Sequence, residues 1–210
     1  MKTFDINDVE RVVKSIANTA IANEKYFSDL DAAAGDADFG VSLATGFKVV
    51  LNKWEEYDRN SISAFLMKVS MVITGNVGGS SGPLWGTAFM RAGISAKGKE
   101  EITFTDIASM LRAAIEGIMA RGGAKVGDKT LIDGLIPIAE KLEEHGDVED
   151  PPEVVRMVTQ AAEEAVEITT GWIARRGRQS FTGERSAGTP DPGIVAIATI
   201  MKDIEKAGQN

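Results

Sequence analysis

The chain has 210 residues, 43% of them hydrophobic, with a formal net charge of -8 and no cysteine. This length predicts one domain covering residues 1–210, and the acidic balance argues against a nucleic-acid partner because phosphate backbones require a basic surface. Without cysteine there is no disulfide, thiolate zinc site or cysteine nucleophile, and without a signal-like or membrane-spanning apolar run we expect a cytoplasmic protein with no membrane partner.

Apolar residues recur with helical spacing along nearly the whole chain, which predicts an all-α fold. Ser61 is a suitable N-cap for the clearest of these helices. Pro83 and Pro192 stand near the starts of two others, where a missing N–H costs nothing. The eight predicted apolar stripes cover residues 6–16, 43–54, 62–73, 84–92, 107–118, 132–142, 155–172 and 194–201.

The acidic segment, residues 31–38, has three aspartates separated only by small residues: Asp31, Asp36 and Asp38. Carboxylates this close repel one another unless a cation lies between them, and hard oxygen ligands favour Mg²⁺ or Ca²⁺. Mg²⁺ held by a few carboxylates usually leaves positions open for phosphate oxygens. The alternative is that Asp36 or Asp38 only caps the next helix.

The glycine-serine segment, residues 75–82, is followed by the helix that starts at Pro83. Glycines let backbone N–H groups approach a phosphate closely, and the amino end of a helix attracts anions. The segment is therefore a candidate phosphate cradle. It lacks the Gly-Lys-Ser/Thr of a P-loop, and a flexible interhelical turn is the alternative.

The only histidine, His145, lies in a polar stretch at a predicted helix end, where a solvated side chain is expected. With no cysteine and this one peripheral histidine, the chain has no suitable phosphoryl carrier of its own. Any phosphoryl group that it handles must therefore be carried by a bound ligand.

The arginine segment, residues 175–188, contains four arginines among glycines. Such a loop could fold over a nucleotide and place a guanidinium against its phosphates. An exposed basic loop is the alternative.

Four glycine-rich loops follow the first, third, fifth and seventh predicted helices. In an up-and-down bundle, the loops after alternate helices lie at the same end of the molecule. A metal loop, a phosphate cradle and an arginine lid at one end are the elements that phosphoryl transfer requires, because it is catalysed mainly by positioning and charge neutralisation. The four loops cover residues 35–40, 75–82, 121–130 and 175–188.

Four motifs carry a family resemblance that spans essentially the whole chain. The motifs are Gly35-Asp36-Ala37-Asp38-x-Gly40, Val77-Gly78-Gly79-x-Ser81-Gly82-Pro83-Leu84-x-Gly86, Gly127-Asp128-Lys129-Thr130, and Gly183-Glu184-Arg185-Ser186 followed by Asp191-Pro192-Gly193. In these motifs the chain resembles the ADP-binding L subunit of bacterial dihydroxyacetone kinase, the domain that also ends the ATP-dependent single-chain kinases.

The resemblance implies an antiparallel eight-helix up-and-down barrel with a nucleotide in the loops at one end. It implies that Asp31, Asp36 and Asp38 bind a pair of Mg²⁺ ions and that Arg178 is catalytic. The implied contacts to ADP, or to ATP, are Phe39, Gly40, Val41, Ser42, Gly79, Ser80, Ser81, Gly122, Thr130, Leu131, Arg178 and Asp191. The chain departs from the family at Phe39, where many members have histidine.

The resemblance also implies an activity that needs partners. Bound ADP would accept phosphate from a phosphohistidine carrier of the phosphotransferase system and pass it to dihydroxyacetone on a separate K subunit; a homodimer is possible. Two alternatives stay open: a subunit that uses ATP directly on dihydroxyacetone or a related ketose such as a tetrulose, and a non-catalytic module that holds ADP and regulates a transcription factor.

Overall fold

An α-helix coincides with every predicted apolar stripe in the computed structural model, which describes residues 2–33, 35–146, 148 and 150–208. Ala34 of the acidic segment lies outside these residues. The only strand-like pairing among them is an isolated bridge between Phe4 and Ile102, so the all-α fold is confirmed. The helices are α1 Ile6–Ala22, α2 Glu24–Ala32, α3 Phe39–Asn52, α4 Ile62–Asn76, α5 Ser81–Ser95, α6 Phe104–Gly122, α7 Leu131–His145, α8 Pro151–Thr170 and α9 Pro192–Gly208, with 3-10 segments at Trp54–Glu56 and Arg178–Ser186.

The predicted number of helices was wrong, because the described residues form nine. Helix α2 is the additional one, and it starts directly after a break at Asn23, whose backbone leaves the helical region at φ -104° and ψ 18°. Asp31 therefore lies in the last turn of α2 instead of in a loop. The four glycine-rich loops follow α2, α4, α6 and α8.

Two predicted helix ends were also too late. Helix α3 ends at Asn52, and Trp54 lies in a 3-10 turn; α8 ends at Thr170, before Trp172. Trp54 is nevertheless buried. Apolar spacing thus predicted the burial of this side chain correctly but not the point where the helix stops.

The predicted helix starts at Ser61 and Pro192 are confirmed, whereas α5 begins at Ser81, two residues before Pro83. The Ser61 hydroxyl accepts a hydrogen bond from the Ala64 amide at 3.1 Å, as an N-cap does. Pro192 is the first residue of α9, and Pro83 lies in the first turn of α5. No helix within the described residues is both long and apolar enough to cross a membrane.

Helices from α3 to α9 each pack on the next one along the chain, and α1 packs on both α3 and α9. These contacts close a ring. An apolar cavity of about 390 Å³ lies among side chains from α1 and α4 to α9. The contacts and the cavity are what a helical barrel requires, and the barrel itself stays a prediction.

Phe47 on α3 is fully buried and meets Trp85 and Phe89 of α5 edge to face, with ring centroids 5.9 and 6.5 Å apart. We expect Phe47→Ala to lower the free energy of unfolding by about 3–5 kcal/mol, because it removes buried area and leaves a cavity. Urea denaturation measures this change. Phe181→Ala is the matched control: its ring is 90% exposed, so a change above about 0.5 kcal/mol there would contradict the assignment of the core.

Candidate functional site

A single cavity of about 420 Å³ is lined by residues from all four glycine-rich loops. Asp38 comes from the acidic segment, Gly79 from the glycine-serine segment, Ala124 from the loop after α6 and Arg178 from the arginine segment. The loops that the sequence places at one end of the bundle therefore do meet.

The three aspartates of the acidic segment lie close together at this cavity. One carboxylate oxygen from each of Asp31, Asp36 and Asp38 lies within 4.8 Å of the others. Asp31 is buried, whereas the Asp36 and Asp38 side chains keep 45% and 49% of their surface exposed. A compact set of three hard oxygen donors, open on one side, fits Mg²⁺ with phosphate or water as the remaining ligands.

Asp31 organises the acidic segment. Its Oδ2 accepts hydrogen bonds from the amides of Asp38 at 3.1 Å and Phe39 at 3.3 Å, so the segment folds back over the end of α2. A side chain at Gly35 would collide with the Asp31 carboxylate. Asp38 occupies the N-cap position of α3, but its side chain caps no amide, which argues against capping as the purpose of this aspartate.

Arg178 binds the exposed side of the cluster. Its guanidinium forms an ion pair with Asp36, and its Nη2 lies 3.5 Å from Oδ2 of Asp38. Burial and the neighbouring Asp36 carboxyl raise the pKa of Asp38 above its ordinary value, while the charge of Arg178 lowers it. The cluster therefore favours a bound cation. Because Arg178 pairs with two of the three carboxylates, its ion pairs would change when a cation binds.

The glycine-serine segment forms another wall of the cavity. Gly79 has a φ of +61°, a conformation that glycine adopts without strain, and it precedes Ser80 and the start of α5. Among the described residues, the Ser80 side chain makes no capping hydrogen bond. The N–H groups of Ser81 and Gly82, which precede Pro83 in the first turn of α5, therefore have no intrahelical partner. The wall therefore offers amide and hydroxyl donors to an anion.

Two further polar atoms support a polar ligand in the cavity. Thr130 Oγ1 and Gln179 Oε1 belong to residues that line it, and both are buried without a hydrogen-bond partner in the described part of the chain. Buried polar atoms are nearly always paired in folded proteins. Unpaired atoms beside a cavity fit a site that a ligand completes.

Asp191 lies before α9, and its Oδ1 accepts a hydrogen bond from the Ile194 amide at 3.0 Å. Burial raises the pKa of Asp191 to about 6, although the backbone amides and Lys129 stabilise its charge. At neutral pH the carboxylate is thus ionised at a cost to the folded state.

The stability of Asp191→Asn, compared with that of the wild type at the same pH, should increase as the pH rises. Native Asp191 binds its proton more tightly than the unfolded chain, so ionisation lowers wild-type stability between pH about 4 and about 6, by on the order of 1–3 kcal/mol. Asparagine keeps the helix cap and cannot ionise. Urea denaturation of both proteins from pH about 4 to about 7 measures the difference, and a gap that stays constant with pH would contradict the assignment.

Most of the predicted site residues surround the cavity, and three do not line it. Asp36 does not line the cavity itself but forms an ion pair with Arg178, which does. Gly40 is buried against α2, and Val41 is 49% exposed to solvent. The predicted residues that line it are Asp31, Asp38, Phe39, Ser42, Gly79, Ser80, Ser81, Gly122, Thr130, Leu131, Arg178 and Asp191.

Sequence reasoning missed Gln179 and Lys129. Gln179 lies beside Arg178 and lines the cavity, and Lys129 is fully buried behind it. The signal for Lys129 was its place within the Gly127–Thr130 motif. Nothing in the residue type indicated burial, because lysine is almost always exposed.

The chain belongs to the DAK2 domain family, which matches residues 33–206. It is 33% identical over 186 residues to the ADP-binding subunit DhaL of the PEP-dependent dihydroxyacetone kinase of Escherichia coli K12, covering 88% of this chain and 89% of that protein. It is 34% identical over 188 residues to the corresponding subunit of kinase 2 of Listeria innocua, covering 87% of each. The resemblance to ADP-binding L subunits is thereby confirmed.

Longer proteins contain a similar region. The L-erythrulose 1-kinase of Mycolicibacterium smegmatis is 32% identical over 200 residues, which cover 93% of this chain and 34% of that protein. The crystal structure of the C. freundii dihydroxyacetone kinase with AMP-PNP and Mg²⁺ superposes with a TM-score of 0.76 at 23% identity, over 93% of this chain and 33% of that one. The structural match agrees with the all-α fold.

Proposed function

We propose that this protein is the nucleotide-binding subunit of a dihydroxyacetone kinase. Its bound ADP accepts phosphate from a phosphohistidine carrier protein of the phosphotransferase system, and the phosphate passes to dihydroxyacetone on a separate K subunit. The observation that carries the proposal is the meeting of an acid cluster, a helix amino end and Arg178 around one cavity. The ADP-binding subunits among the relatives support the choice of nucleotide.

The acid cluster is assigned to the metal. Asp31, Asp36 and Asp38 would hold Mg²⁺, two ions in our proposal, and the ions supply charge neutralisation at the phosphates when bound. Asp31 is oriented by the amides of Asp38 and Phe39 before any ligand arrives. This preorganisation leaves Asp36 and Asp38 as the adjustable ligands.

The other walls are assigned to the nucleotide. Ser80, Ser81 and the amides at the start of α5 would donate hydrogen bonds to phosphate oxygens. Arg178, which pairs with Asp36 and Asp38 of the acid cluster, would stabilise the charge that spreads over the transferring group. Thr130 Oγ1 has an unused hydrogen-bonding capacity for the nucleoside.

The single histidine cannot serve as a carrier at this site. His145 ends α7, whereas Leu131 at the other end of the same helix lines the cavity. A helix of 15 residues is about 22 Å long, so the two ends are far beyond reach of one another. In our proposal the phosphate therefore travels on the bound nucleotide, and a partner in the cytoplasm holds the substrate.

A second candidate function is direct use of ATP on dihydroxyacetone or a related ketose. The similarity to the L-erythrulose 1-kinase favours it, because the matched region there is part of a longer kinase. Phe39, whose ring centroid lies 6.2 Å from that of Phe27, lines the cavity. It is the position at which the chain departs from the family that it resembles, and this departure would accompany such a change.

Reconstitution separates the candidates. The chain is mixed with a K subunit and a phosphohistidine carrier from the same source, and with either dihydroxyacetone or L-erythrulose as acceptor. The phosphorylated ketose is measured with either phosphorylated carrier or ATP as donor. Our proposal expects rapid product formation from the carrier and little from ATP. Rapid product from ATP without the carrier would favour the second candidate, and no product from either donor would support a non-catalytic module that holds ADP.

A further inference from the structure

Lys129 is a cation in an unusual place. Its side chain is fully buried, and its backbone has a φ of +62°, in the left-handed region that residues other than glycine seldom adopt. A buried lysine needs partners for all three of its ammonium donors, because an unpaired charge inside a protein is strongly destabilising. The backbone at Lys129 is therefore strained in the conformation that places its ammonium inside the protein.

The Lys129 ammonium is held by three carbonyl oxygens from two other parts of the chain. Nζ donates to Thr170 O at 3.2 Å, Trp172 O at 3.0 Å and Ser186 O at 2.8 Å. Thr170 is the last residue of α8, where the unpaired carbonyls of a helix end favour a cation. Lys129 thus joins the carboxyl end of α8 to the arginine segment.

Ser186 is the last residue of the 3-10 segment that begins at Arg178. Its hydroxyl accepts a hydrogen bond from the Ala174 amide at 2.8 Å and donates one to Gly183 O at 2.6 Å. The carboxyl end of the segment is therefore held by the two hydrogen bonds of the Ser186 hydroxyl and by the one from the Lys129 ammonium to Ser186 O.

The residue before Lys129 also binds the amino-terminal end of the arginine segment. The Arg175 amide donates to Asp128 O at 3.0 Å, one residue before Lys129. Between the two attachments, Gly177 and Gly183 have φ values of +73° and +59° and allow the backbone to turn sharply. Arg178 lies within this short span, so its reach to Asp36 and Asp38 depends on where the two attachments place it.

We propose that Lys129 is a positioning residue, which fixes the arginine segment on the carboxyl end of α8 and thereby aims Arg178 at the acid cluster. Lys129 is not among the described residues that line the cavity assigned to the nucleotide. The catalytic meaning of the proposal rests on the proposed function, whereas its structural part concerns the chain alone.

Lys129→Met tests the proposal, because methionine keeps much of the stem and removes the ammonium. Hydrogen exchange of residues 178–188 should accelerate at least about tenfold, with α4 and α5 unchanged. Phosphoryl transfer should fall at least about tenfold, while ADP affinity changes less than about threefold. Lys25→Met is the matched control, since this side chain is 87% exposed, and it should change none of these. Unchanged exchange in residues 178–188 of Lys129→Met would overturn the proposal.

A second experiment avoids a variant that fails to fold. Because the natural chain has no cysteine, Lys129→Cys can be alkylated selectively in denaturant, with an aminoethyl group that restores an ammonium or a propyl group of equal length without one. After refolding, the aminoethyl protein should recover wild-type exchange in residues 178–188, and the propyl protein should not.

Two outcomes of this comparison would overturn the proposal. One is equal exchange in the two adducts, and the other is global unfolding of the propyl adduct, which would make Lys129 a residue of the core instead of a positioning residue. Exchange is measured without partner proteins. If the proposed function is wrong, the exchange result can therefore still be interpreted. If the exchange result contradicts the role of Lys129, the protein would still be expected to retain ADP.

Discussion

Asp36→Asn should lose bound ADP and Mg²⁺ while its helices stay folded. Asparagine keeps the shape of the side chain but removes one of three clustered negative charges and the ion pair with Arg178. Metal-dependent ADP affinity should fall by at least about 30-fold, or about 2 kcal/mol. Calorimetric titration with ADP and Mg²⁺ measures the loss, and circular dichroism checks the helices.

The control for this variant is Asp29→Asn. Asp29 lies on α2, one helical turn from Lys25, and 61% of its side chain is exposed. The substitution changes the net charge by the same amount, so it separates a local effect on the metal from a general effect of acidity. ADP retention that is unchanged in Asp36→Asn, or equally reduced in Asp29→Asn, would contradict the metal assignment.

Arg178→Ala should slow phosphoryl transfer far more than it weakens ADP binding. The guanidinium would act mainly on charge that develops during transfer, and such arginines contribute at least about 100-fold to rate. ADP affinity should change less than about tenfold, because the amides at the start of α5 remain. Single-turnover transfer from the phosphorylated carrier and ADP titration give the two numbers.

Arg156→Ala serves as the comparison, since Arg156 is 61% exposed on α8 and pairs only with the neighbouring Glu153 among the described residues. Equal effects of Arg178→Ala on binding and on transfer would reduce its role to holding ADP. An unchanged transfer rate would make the arginine segment an ordinary surface loop.

The helices could be predicted because most of them bury one long apolar face. On α4, Ile62, Phe65 and Leu66 begin a stripe with helical spacing, and all three are buried. Helix α2 lacks such a stripe: it has nine residues, of which only Phe27 and Asp31 are buried. Its short length and polar composition explain why it was missed.

The site was predictable where its residues are close in the sequence. The three aspartates fall within eight positions, so the clustering of their carboxylates could be predicted from spacing alone. The contact between Arg178 and Asp36 spans 142 positions, and no local pattern specifies it. The same holds for Lys129, whose carbonyl acceptors lie 41 to 57 positions away and whose burial depends on how α8 ends.

The central claim is that the protein retains ADP and Mg²⁺ at the acid cluster. The most direct test is to denature the freshly purified protein, identify the released nucleotide by chromatography and mass spectrometry, and assay magnesium in the same sample. Our account predicts ADP close to one per chain together with Mg²⁺, and loss of both in Asp36→Asn. A protein that neither retains a nucleotide nor binds added ADP in the presence of Mg²⁺ would contradict it.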